Sequence, residues 1–430
     1  MSRGVLSAAP IVGEVGRPRG WQWRRLGDFT REVSNRAGAE SQLPVLSVTK
    51  HQGIVRAEDY FKKAVHGRDT SNYKVVAQGQ FAYATIHLDE GSIGYLDSEA
   101  AGMVSPMYTV FQPADGVDPR YLLAVLKRPQ SLGTYRTLAQ GTVNRRASIA
   151  FDALASLHLL CPPLAEQRKI ATILLSVDEA IEKTQAVIDQ VQVVKKGLMQ
   201  ELLTRGLPGR HKKFKKTEIG EIPEEWEVCP LEQVAVVQTG IAKGKTVERG
   251  IELPYLRVAN VQDGHVDLSE MKTIIVASAM VDRYRLRAGD VLFTEGGDAD
   301  KLGRGCVWRG QLEPCLHQNH VFAVRPLDGR LLSDFLAHWA ASSRGKAYFM
   351  DCAKQTTNLA SINSTQLKAL PVPMPSPDEQ HGIVVRIDSA NARFVAEAGA
   401  LQALQTIKSA LMSVLLTGEV RVKRDPEVAA

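Results

Sequence analysis

Several features that define common protein classes are missing from the sequence. Its five cysteines (Cys161, Cys229, Cys306, Cys315 and Cys352) are scattered and never form a Cys-x-x-Cys pair, so neither a disulfide framework nor a zinc site is predicted. No apolar run approaches the length of a membrane-spanning helix, and the start of the chain lacks the apolar core of a secretion signal. We therefore expect a protein of a reducing compartment, the cytoplasm.

Sequence signatures of catalysis are missing as well. The chain contains no G-x-x-x-x-G-K-[ST] phosphate loop, no N/D-P-P-[YF] signature of an amino-methyltransferase and no His-Glu-x-x-His motif. Short glycine-rich pieces such as Gly303-Arg304-Gly305 are typical of turns. We expect no catalytic residue, no bound metal and no cofactor in this chain.

The composition is that of a globular protein with a modest excess of positive charge. Of 430 residues, 44% are hydrophobic and 23% charged, and this length favours about two or three domains. Lys and Arg outnumber Asp and Glu by 53 to 47, which gives a net charge of +6. An excess of this size is compatible with a polyanionic partner and equally with an ordinary solvated surface.

The chain repeats itself. Glu166-Gln167 and Leu202-Leu203-Thr204 recur as Glu379-Gln380 and Leu415-Leu416-Thr417 at a constant offset of 213, without a gap between them. Upstream, colinear matches continue at offsets between 205 and 213, as expected when loops differ in length between two copies of one domain. These upstream matches are Trp21 with Trp226, Pro44 with Pro254, Gly79 with Gly289, and Pro113 with Pro326.

The first part of each copy predicts a mixed α and β domain. Segments such as QFAYATIHL and DVLFTEG are rich in β-branched and aromatic residues and are bounded by Gly, Asp or Pro, which is typical of strands. PRYLLAVLKR and RLLSDFLAHWAASS have helical periodicity. Between the copies, the Gly-, Pro- and Lys-rich stretch 205–226 is predicted to be a linker.

The last part of each copy predicts one long helix with a coiled-coil seam. Apolar positions alternate steps of four and three, and Pro precedes and Gly follows each run. Two helices with matching stripes are expected to pack together, antiparallel, because a whole domain lies between them. The seam positions are Ile170, Leu174, Val177, Ile181, Thr184, Ile188, Val191, Lys195, Leu198 and Leu202, and then Ile383, Ile387, Ala390, Phe394, Glu397, Leu401, Leu404, Lys408, Leu411 and Leu415.

The chain resembles the specificity subunits of type I restriction-modification systems. The resemblance rests on the domain-helix-domain-helix repeat, the helix opening PPLAEQRKIATILLSVDEAI, the helix ends LLTRGL and LLTGEVRV, and the string KKTEIGEIPEEWEV before the second domain. It covers most of the chain. One departure is Ser376-Pro377-Asp378, which replaces the Pro-Pro-Leu pattern at the second helix opening.

The resemblance implies an α+β fold of two repeated target recognition domains, separated by two long antiparallel coiled-coil helices. Each domain is expected to read one half of a bipartite DNA target. The implied partners are double-stranded DNA, two methyltransferase subunits and, in the full complex, two restriction subunits. The expected divisions are domain 1 at 1–160, spacer helix 1 at 161–205, a basic linker at 206–220, domain 2 at 221–374, spacer helix 2 at 375–418 and a tail at 419–430.

Two repeat-matched loops carry side chains suited to reading DNA. Arg suits guanine, Asn and Gln suit adenine, and Lys and Arg elsewhere hold phosphates. A helix cap or a turn would use Thr and Asn equally well. The predicted DNA-binding residues are Gln140, Thr142, Asn144, Arg145 and Arg146 in copy one, and Lys354, Gln355, Thr356, Thr357 and Asn358 in copy two.

Further basic residues outside these loops are weaker candidates for DNA contact. Those predicted are Lys62, Lys63, Arg68, Lys243, Lys245, Lys301 and Arg304, with Lys50, His51, Arg56, Lys74 and Arg257 as additional possibilities. Trp21 and Trp226 lie beside apolar neighbours, which favours a place in the core over a role in stacking on bases.

Two other functions fit the same pattern. A scaffold could present two sensor domains on a coiled coil without binding DNA. The chain could also be the recognition part of a fused restriction or modification enzyme, although a helix and a short tail follow its last domain. Sequence-selective DNA binding in the presence of a methyltransferase partner would separate the first alternative from specificity-subunit function.

Overall fold

Two long helices and two mixed domains make up the computed structural model, which describes residues 18–38, 41–61, 69–139, 148–242, 250–297, 302–327, 329–355 and 360–422. The chain divides into two compact units. Unit 1 comprises residues 1–185 and 400–430, and unit 2 comprises residues 186–399. Each long helix contributes residues to both units.

Unit 1 contains short strands and helices, as the Gly, Pro and Asp residues that punctuate its sequence predict. Its strands are β1 (Gln22–Arg25), β2 (Thr30–Val33), β3 (Leu46–Thr49), β4 (Gly53–Arg56), β5 (Lys74–Ala77), β6 (Phe81–Ala84), β7 (Ile93–Tyr95), β8 (Ala101–Val104), β9 (Tyr108–Pro113) and β10 (His158–Cys161). Its helices are α1 (Ala57–Phe61), α2 (Pro119–Lys127), α3 (Pro129–Ala139), α4 (Phe151–Ala155) and the first part of α5 (Leu164–Arg205).

The core of unit 1 forms on both faces of an antiparallel sheet with the strand order β2-β9-β6-β7. Successive side chains of a strand point to opposite faces. Phe81 and Tyr83 of β6 therefore join one hydrophobic cluster, while Ala82 joins another. The Phe81 ring stacks on Phe111 of β9, with ring centroids 4.9 Å apart. All four residues of β6 are buried, so this strand is the centre of the domain.

Unit 2 repeats this construction. Its strands are β11 (Phe214–Thr217), β12 (Gly220–Pro223), β13 (Glu227–Pro230), β14 (Ala235–Thr239), β15 (Ile251–Leu256), β16 (Lys272–Val276), β17 (Val291–Thr294), β18 (Gly296–Gly297), β19 (Gly305–Val307), β20 (Leu316–His317), β21 (Val321–Pro326), β22 (Lys354–Gln355), β23 (Ala360–Ser361) and β24 (Pro371–Met374). Its helices are α6 (Ser278–Tyr284), α7 (Ser333–Ala341), α8 (Ser343–Cys352), α9 (Ser364–Lys368) and part of α10 (Pro377–Leu415).

The sheets of the two units correspond strand by strand. The order β14-β21-β17-β19 in unit 2 matches β2-β9-β6-β7 in unit 1, and every pairing is antiparallel. The central strand β17 is buried on both faces like β6: Val291 and Phe293 join one hydrophobic cluster and Leu292 another. The α+β class with a repeated domain and two long helices is confirmed.

The predicted seam is the buried stripe of both long helices. No seam position is exposed, whereas Val193 and Val395, which lie off the seam, are 67% and 66% exposed. In unit 1, the start of α5 packs in one cluster with the end of α10; in unit 2, the end of α5 packs with the start of α10. The two helices are therefore antiparallel within each unit, as predicted.

The two seam lysines are repeat-matched but have different partners. In unit 2 the Lys195 ammonium lies over the Phe394 ring, 5.8 Å from its centroid. In unit 1 Lys408 forms an ion pair with Asp178. Each charge is thus compensated within the seam, which is the usual condition for keeping a lysine in an apolar stripe.

A buried Trp–Glu pair joins each domain to the start of its helix. Trp21 Nε1 donates to Glu166 Oε2 and Trp226 Nε1 donates to Glu379 Oε2, both at 3.2 Å. All four residues are at most 2% exposed. Ser376, which departs from the Pro-Pro-Leu pattern of the first helix opening, caps α10, because its Oγ accepts from Glu379 N at 3.4 Å. The predicted placement of both tryptophans in the core agrees with these positions.

The glutamine after each of these glutamates makes a second junction. Gln167 accepts from the Asp118 backbone N at 2.8 Å, and its amide donates to Pro162 O at 2.9 Å. Gln380 accepts from Leu332 N at 2.8 Å. Asp118 and Leu332 are the N-caps of α2 and α7. The Glu-Gln motif therefore fixes two elements of its domain to the long helix: the strand that follows the tryptophan, β1 or β13, and a flanking helix, α2 or α7.

The helix ends contact the same junctions. Gly206 follows α5 with φ +76°, and a Cβ built on it would lie 2.5 Å from Glu379 Oε1. Gly418 lies beyond α10 with φ +73°, and its Cβ would lie 2.5 Å from Pro18 and 3.3 Å from Trp21. Only glycine combines this left-handed conformation with so close an approach.

The repeats differ where α2 and α7 end. The last residue of α2 is Lys127 and that of α7 is Ala341, and the two are equivalent because both helices have nine residues and matching N-caps. Lys127 lies near Lys408 and Asp178 in unit 1. In unit 2 a cavity of about 320 Å³ lies beside Ala341, Lys195 and Phe394.

Candidate nucleic-acid interface

In each unit, the residue that closes a predicted DNA-binding loop bonds to the end of the central strand. The two positions are equivalent in the repeat. After β6 the chain continues into Thr85, whose carbonyl accepts from Ile149 N at 3.0 Å. After β17 it continues into Glu295, whose carbonyl accepts from Ile362 N at 2.8 Å. Each isoleucine closes one of the two polar loops that the repeat matched. The structure therefore anchors both loops at equivalent backbone atoms.

Residues outside the described ranges interrupt unit 2 at 243–249, 298–301 and 356–359. The described residues that flank these three segments lie in one neighbourhood. Ile241 N donates to His317 O at 2.8 Å, and Glu295 N donates to His320 O at 2.9 Å. Directly after Glu295, β18 pairs with β23, which pairs with β22. This neighbourhood at the end of β17 is called the strand-end region below.

An exposed pair of side chains faces across the two strands at each strand end. In unit 1, Thr85 Oγ1 donates to Met107 O at 2.9 Å, and the Met107 side chain is 60% exposed. In unit 2 the same positions hold Glu295 and His320, whose Oε2 and Nδ1 are in hydrogen-bond contact. His320 Nε2 also contacts Asn319 Nδ2 at 3.3 Å.

A basic residue lies beside each strand end. Lys74 Nζ donates to Tyr108 O at 2.7 Å, next to Met107. In unit 2, Thr294 is the last residue of β17, and its backbone N donates to the carbonyl of Arg304 at 3.0 Å. A positive side chain near exposed polar groups, as Lys74 is in unit 1, can hold a DNA phosphate while other groups contact bases.

The described ranges contain no group of His, Cys, Asp and Glu residues placed to hold a metal ion. Within the same ranges, no helix combines the length and apolar character needed to cross a membrane.

Comparison with known proteins finds similarity to type I restriction-modification specificity subunits. Residues 223–405 match the model of the type I restriction modification DNA specificity domain. The type I restriction enzyme MjaVIII specificity subunit of Methanocaldococcus jannaschii is 24% identical over 428 residues, which cover 94% of this chain and 94% of that protein. Over most of its length, the chain is similar to type I restriction-modification specificity subunits.

Two further relatives extend the comparison. The putative type I restriction enzyme MjaX specificity subunit of the same organism is 29% identical over 210 residues, 48% of this chain and 49% of that protein. The chain thus matches about half the length of that relative. A chain in a solved structure on complex assembly and conformational transition of the type I R-M system is 16% identical, with a TM-score of 0.56, and the match covers 94% of this chain and 100% of that chain. At this identity the likeness concerns the fold.

Most residues predicted to bind DNA lie outside the described residues. These are Lys62, Lys63, Arg68, Gln140, Thr142, Asn144, Arg145, Arg146, Lys243, Lys245, Lys301, Thr356, Thr357 and Asn358. Lys354 and Gln355 form β22, which pairs with β23 at the strand-end region. The roles of all these residues stay predictions.

Arg304 and several other basic candidates already have partners within the protein. Arg304 is partly buried, and its guanidinium donates to Gln262 Oε1 at 2.9 Å. Arg56 Nε lies 2.7 Å from Glu99 Oε1, and Arg257 is 3.4 Å from a Glu270 carboxylate oxygen. These pairs would have to open for their cations to contact phosphate. Lys50 and His51 are exposed in the turn between β3 and β4.

Sequence reasoning missed Met107, Glu295, Asn319 and His320 as candidate functional residues. Glu295 lies in DVLFTEG, a segment whose composition predicts only a strand. The available signal was the offset of 210 that already aligned FAYAT with VLFT, because it sets Thr85 against Glu295. Their partners across the sheet become visible only with the strand register.

Proposed function

We propose that the chain is the sequence-specific DNA recognition subunit of a type I restriction-modification complex, and that each repeated domain reads one half of a bipartite target. The observation that carries this proposal is the strand-by-strand correspondence of the two sheets, each with a polar loop returning to the same strand end. Two copies of one reader in a single chain fit a target made of two separate half-sites.

The chain is proposed to act without a catalytic centre of its own. It would direct two methyltransferase subunits and, in the full complex, two restriction subunits, which supply the chemistry in the cytoplasm. Similarity to proteins that are named specificity subunits supports this division. The sequence also lacks the phosphate-loop and amino-methyltransferase motifs.

The matched loops are proposed to reach the DNA. The first contains Gln140, Asn144 and Arg145, and the second contains Gln355 and Asn358. These side chains have the paired donors and acceptors that distinguish adenine and guanine in the major groove. Lys62, Lys63, Lys243 and Lys245 are proposed to hold phosphates, which adds affinity without sequence preference.

Selection of bound sequences from random double-stranded DNA tests the main proposal. The chain is purified with its methyltransferase partner, and the bound DNA is sequenced. Two fixed blocks separated by a gap of unfixed bases are expected. A scaffold with two sensor domains would enrich no sequence. Methyl transfer to DNA by the chain alone, without the partner, would instead support the fused-enzyme alternative.

Exchange of one domain tests the assignment of one domain to one half-site. Residues 1–160 are replaced by the matching domain of a relative with a different target, and the selection is repeated. Only one of the two fixed blocks should change. The matched control exchanges residues 221–374 and should change only the other block. Alteration of both blocks by either exchange would contradict the assignment.

A further inference from the structure

The strand-end pair differs between the repeats although the backbone around it is the same. β6 pairs with β9 and β17 pairs with β21 in the same antiparallel register up to the last residue of each central strand. The following carbonyl accepts the N–H of a returning loop in both units. Copy one has Thr85 and Met107 here, and copy two has Glu295 and His320. The fold is therefore compatible with either chemistry.

Stability gives little reason for the charged pair in copy two. The Glu295 and His320 side chains are 32% and 53% exposed, and exposed ion pairs contribute only about 0–1 kcal/mol. Copy one forms the same sheet end without any charge. A side-chain network that the fold does not need, at an exposed position beside three loop stems, has the character of a contact surface.

The network in copy two orients an amide. His320 Nδ1 contacts the Glu295 carboxylate, which can only accept when ionised, so a neutral imidazole at this position carries its proton on Nδ1. Nε2 is then free to accept from Asn319 Nδ2 at 3.3 Å. The remaining amide hydrogen and the amide oxygen of Asn319 form a donor and an acceptor side by side. This is the pair that binds N7 and N6 of adenine.

The equivalent position in copy one is uncharged. Met107 exposes a flexible thioether side chain. The Thr85 hydroxyl donates to Met107 O, so the methyl group of Thr85 is the part of its side chain that remains for contact. An apolar surface of this kind matches the C5-methyl group of thymine. Lys74 beside it supplies a positive charge for a neighbouring phosphate.

We propose that the strand-end pair is a specificity-determining position in each domain: Asn319, oriented by His320 and Glu295, recognises an adenine in the second half-site, and Met107 with Thr85 recognises a thymine methyl in the first. This inference rests on the proposed DNA-recognition function. It assigns Glu295 a positioning role, because Glu295 acts through His320.

Substitutions at these positions test the proposal in the complex with the methyltransferase partner. Asn319→Ala should relax one base position of the second half-site and weaken binding to the selected target by roughly 10- to 100-fold. Met107→Ala should relax one position of the first half-site, with a smaller loss. The control Gln233→Ala removes an exposed amide from the turn 231–233 of unit 2 and should leave both half-sites unchanged.

The positioning role of Glu295 has its own readout. Glu295→Gln keeps an oxygen that can accept from His320 Nδ1, so it should retain the base preference. Glu295→Ala should relax the same position as Asn319→Ala. A purely structural contribution would weaken binding to all sequences in parallel and would not be rescued by glutamine.

The outcomes separate this inference from the proposed function. If the wild-type complex selects no sequence, the DNA-recognition function itself is wrong. If the wild-type complex selects a bipartite target and Asn319→Ala, folded by circular dichroism, keeps every base preference, the strand-end assignment is wrong. Equal weakening on specific and random DNA would also overturn it. A change confined to one position of the second half-site supports it.

Discussion

Arg421 and Glu166 form a two-pronged ion pair across 255 positions of the chain, with Nε to Oε1 at 2.7 Å and Nη2 to Oε2 at 2.8 Å. In unit 2 the equivalent Glu379 is held instead by His211 Nε2 at 2.8 Å and by the Leu207 backbone N at 3.1 Å. In both units, residues beyond the end of one long helix thus donate to the carboxylate at the start of the other.

Removing the cation from this pair should destabilise unit 1. Arg421→Ala leaves a carboxylate that is only 2% exposed with Trp21 as its remaining side-chain donor, and breaking such a pair from one side costs roughly 3 kcal/mol. Hydrogen exchange of residues 164–185, followed by mass spectrometry, measures the loss. Adding Glu166→Gln to Arg421→Ala should recover part of it, because a neutral amide needs no cation. Equal protection in the single and double variants would exclude the charge as the cause.

Gln380 should not tolerate replacement by glutamate. Its amide nitrogen donates to Arg330 O at 2.7 Å and to Pro375 O at 2.9 Å, and the residue is 0% exposed. Gln380→Glu turns this donor into an acceptor facing two carbonyls, with an expected loss of roughly 2–4 kcal/mol in the free energy of unfolding. Chemical denaturation measures it.

The neighbouring Asp378 gives the matched control for Gln380. Asp378 is exposed in the first turn of α10, so Asp378→Asn should cost less than about 1 kcal/mol. Similar losses in Gln380→Glu and Asp378→Asn would show that the amide contacts contribute nothing.

The seam makes a quantitative prediction along α10. Ile387 is fully buried and Val395 is 66% exposed, both in the part of the helix that belongs to unit 2. Ile387→Ala should lower the free energy of unfolding by about 2–5 kcal/mol, through lost burial and a residual cavity. Val395→Ala should change it by less than about 0.5 kcal/mol. Thermal unfolding of the two variants compares them, and equal melting temperatures would refute the seam register.

Lys127 predicts a dependence of stability on pH. Burial, with a smaller contribution from the nearby Lys408, lowers its pKa to about 8, and Asp178 opposes both effects. A lysine whose pKa is lower in the folded state binds fewer protons there than in the unfolded chain. Its contribution to stability therefore rises with pH between about 8 and 10.5 and is constant below that window.

Comparison with Lys127→Met isolates this effect. The variant removes the buried amine, so the stability difference between wild type and variant should shrink as the pH rises from 8 to 10. Denaturation at a series of pH values measures that difference, and subtraction cancels the tyrosines and cysteines common to both proteins. A difference that stays constant over this range would contradict the lowered pKa.

The long helices and their seam were predictable because a helix buries a periodic stripe, and the period is visible locally. The repeat was predictable because its matches kept their order. The Trp21–Glu166 bond was not, since it joins residues 145 positions apart and no local pattern records that approach. Likewise, the Glu295–His320 pair depends on the register between β17 and β21, which alternating apolar residues alone do not determine.

The candidate site was predicted at the level of loops and not of contacts. The sequence matched the loops that close at Ile149 and Ile362, and the structure joins both isoleucines to equivalent strand ends. The sequence did not indicate that Arg56, Arg257 and Arg304 have partners within the protein, because pairing between distant residues leaves no trace in composition. The DNA-contacting side chains in those loops stay predictions.

The glycines that touch the helix junctions make the lengths of α5 and α10 depend on each other. Glu166 and Gly206 are 40 positions apart, and Glu379 and Gly418 are 39 positions apart. Each glycine lies beside the Trp–Glu junction of the opposite helix. An insertion in one helix alone would pull its glycine away from that junction or force a bulge. Changes of length are therefore expected to be tolerated only as pairs, one in each helix.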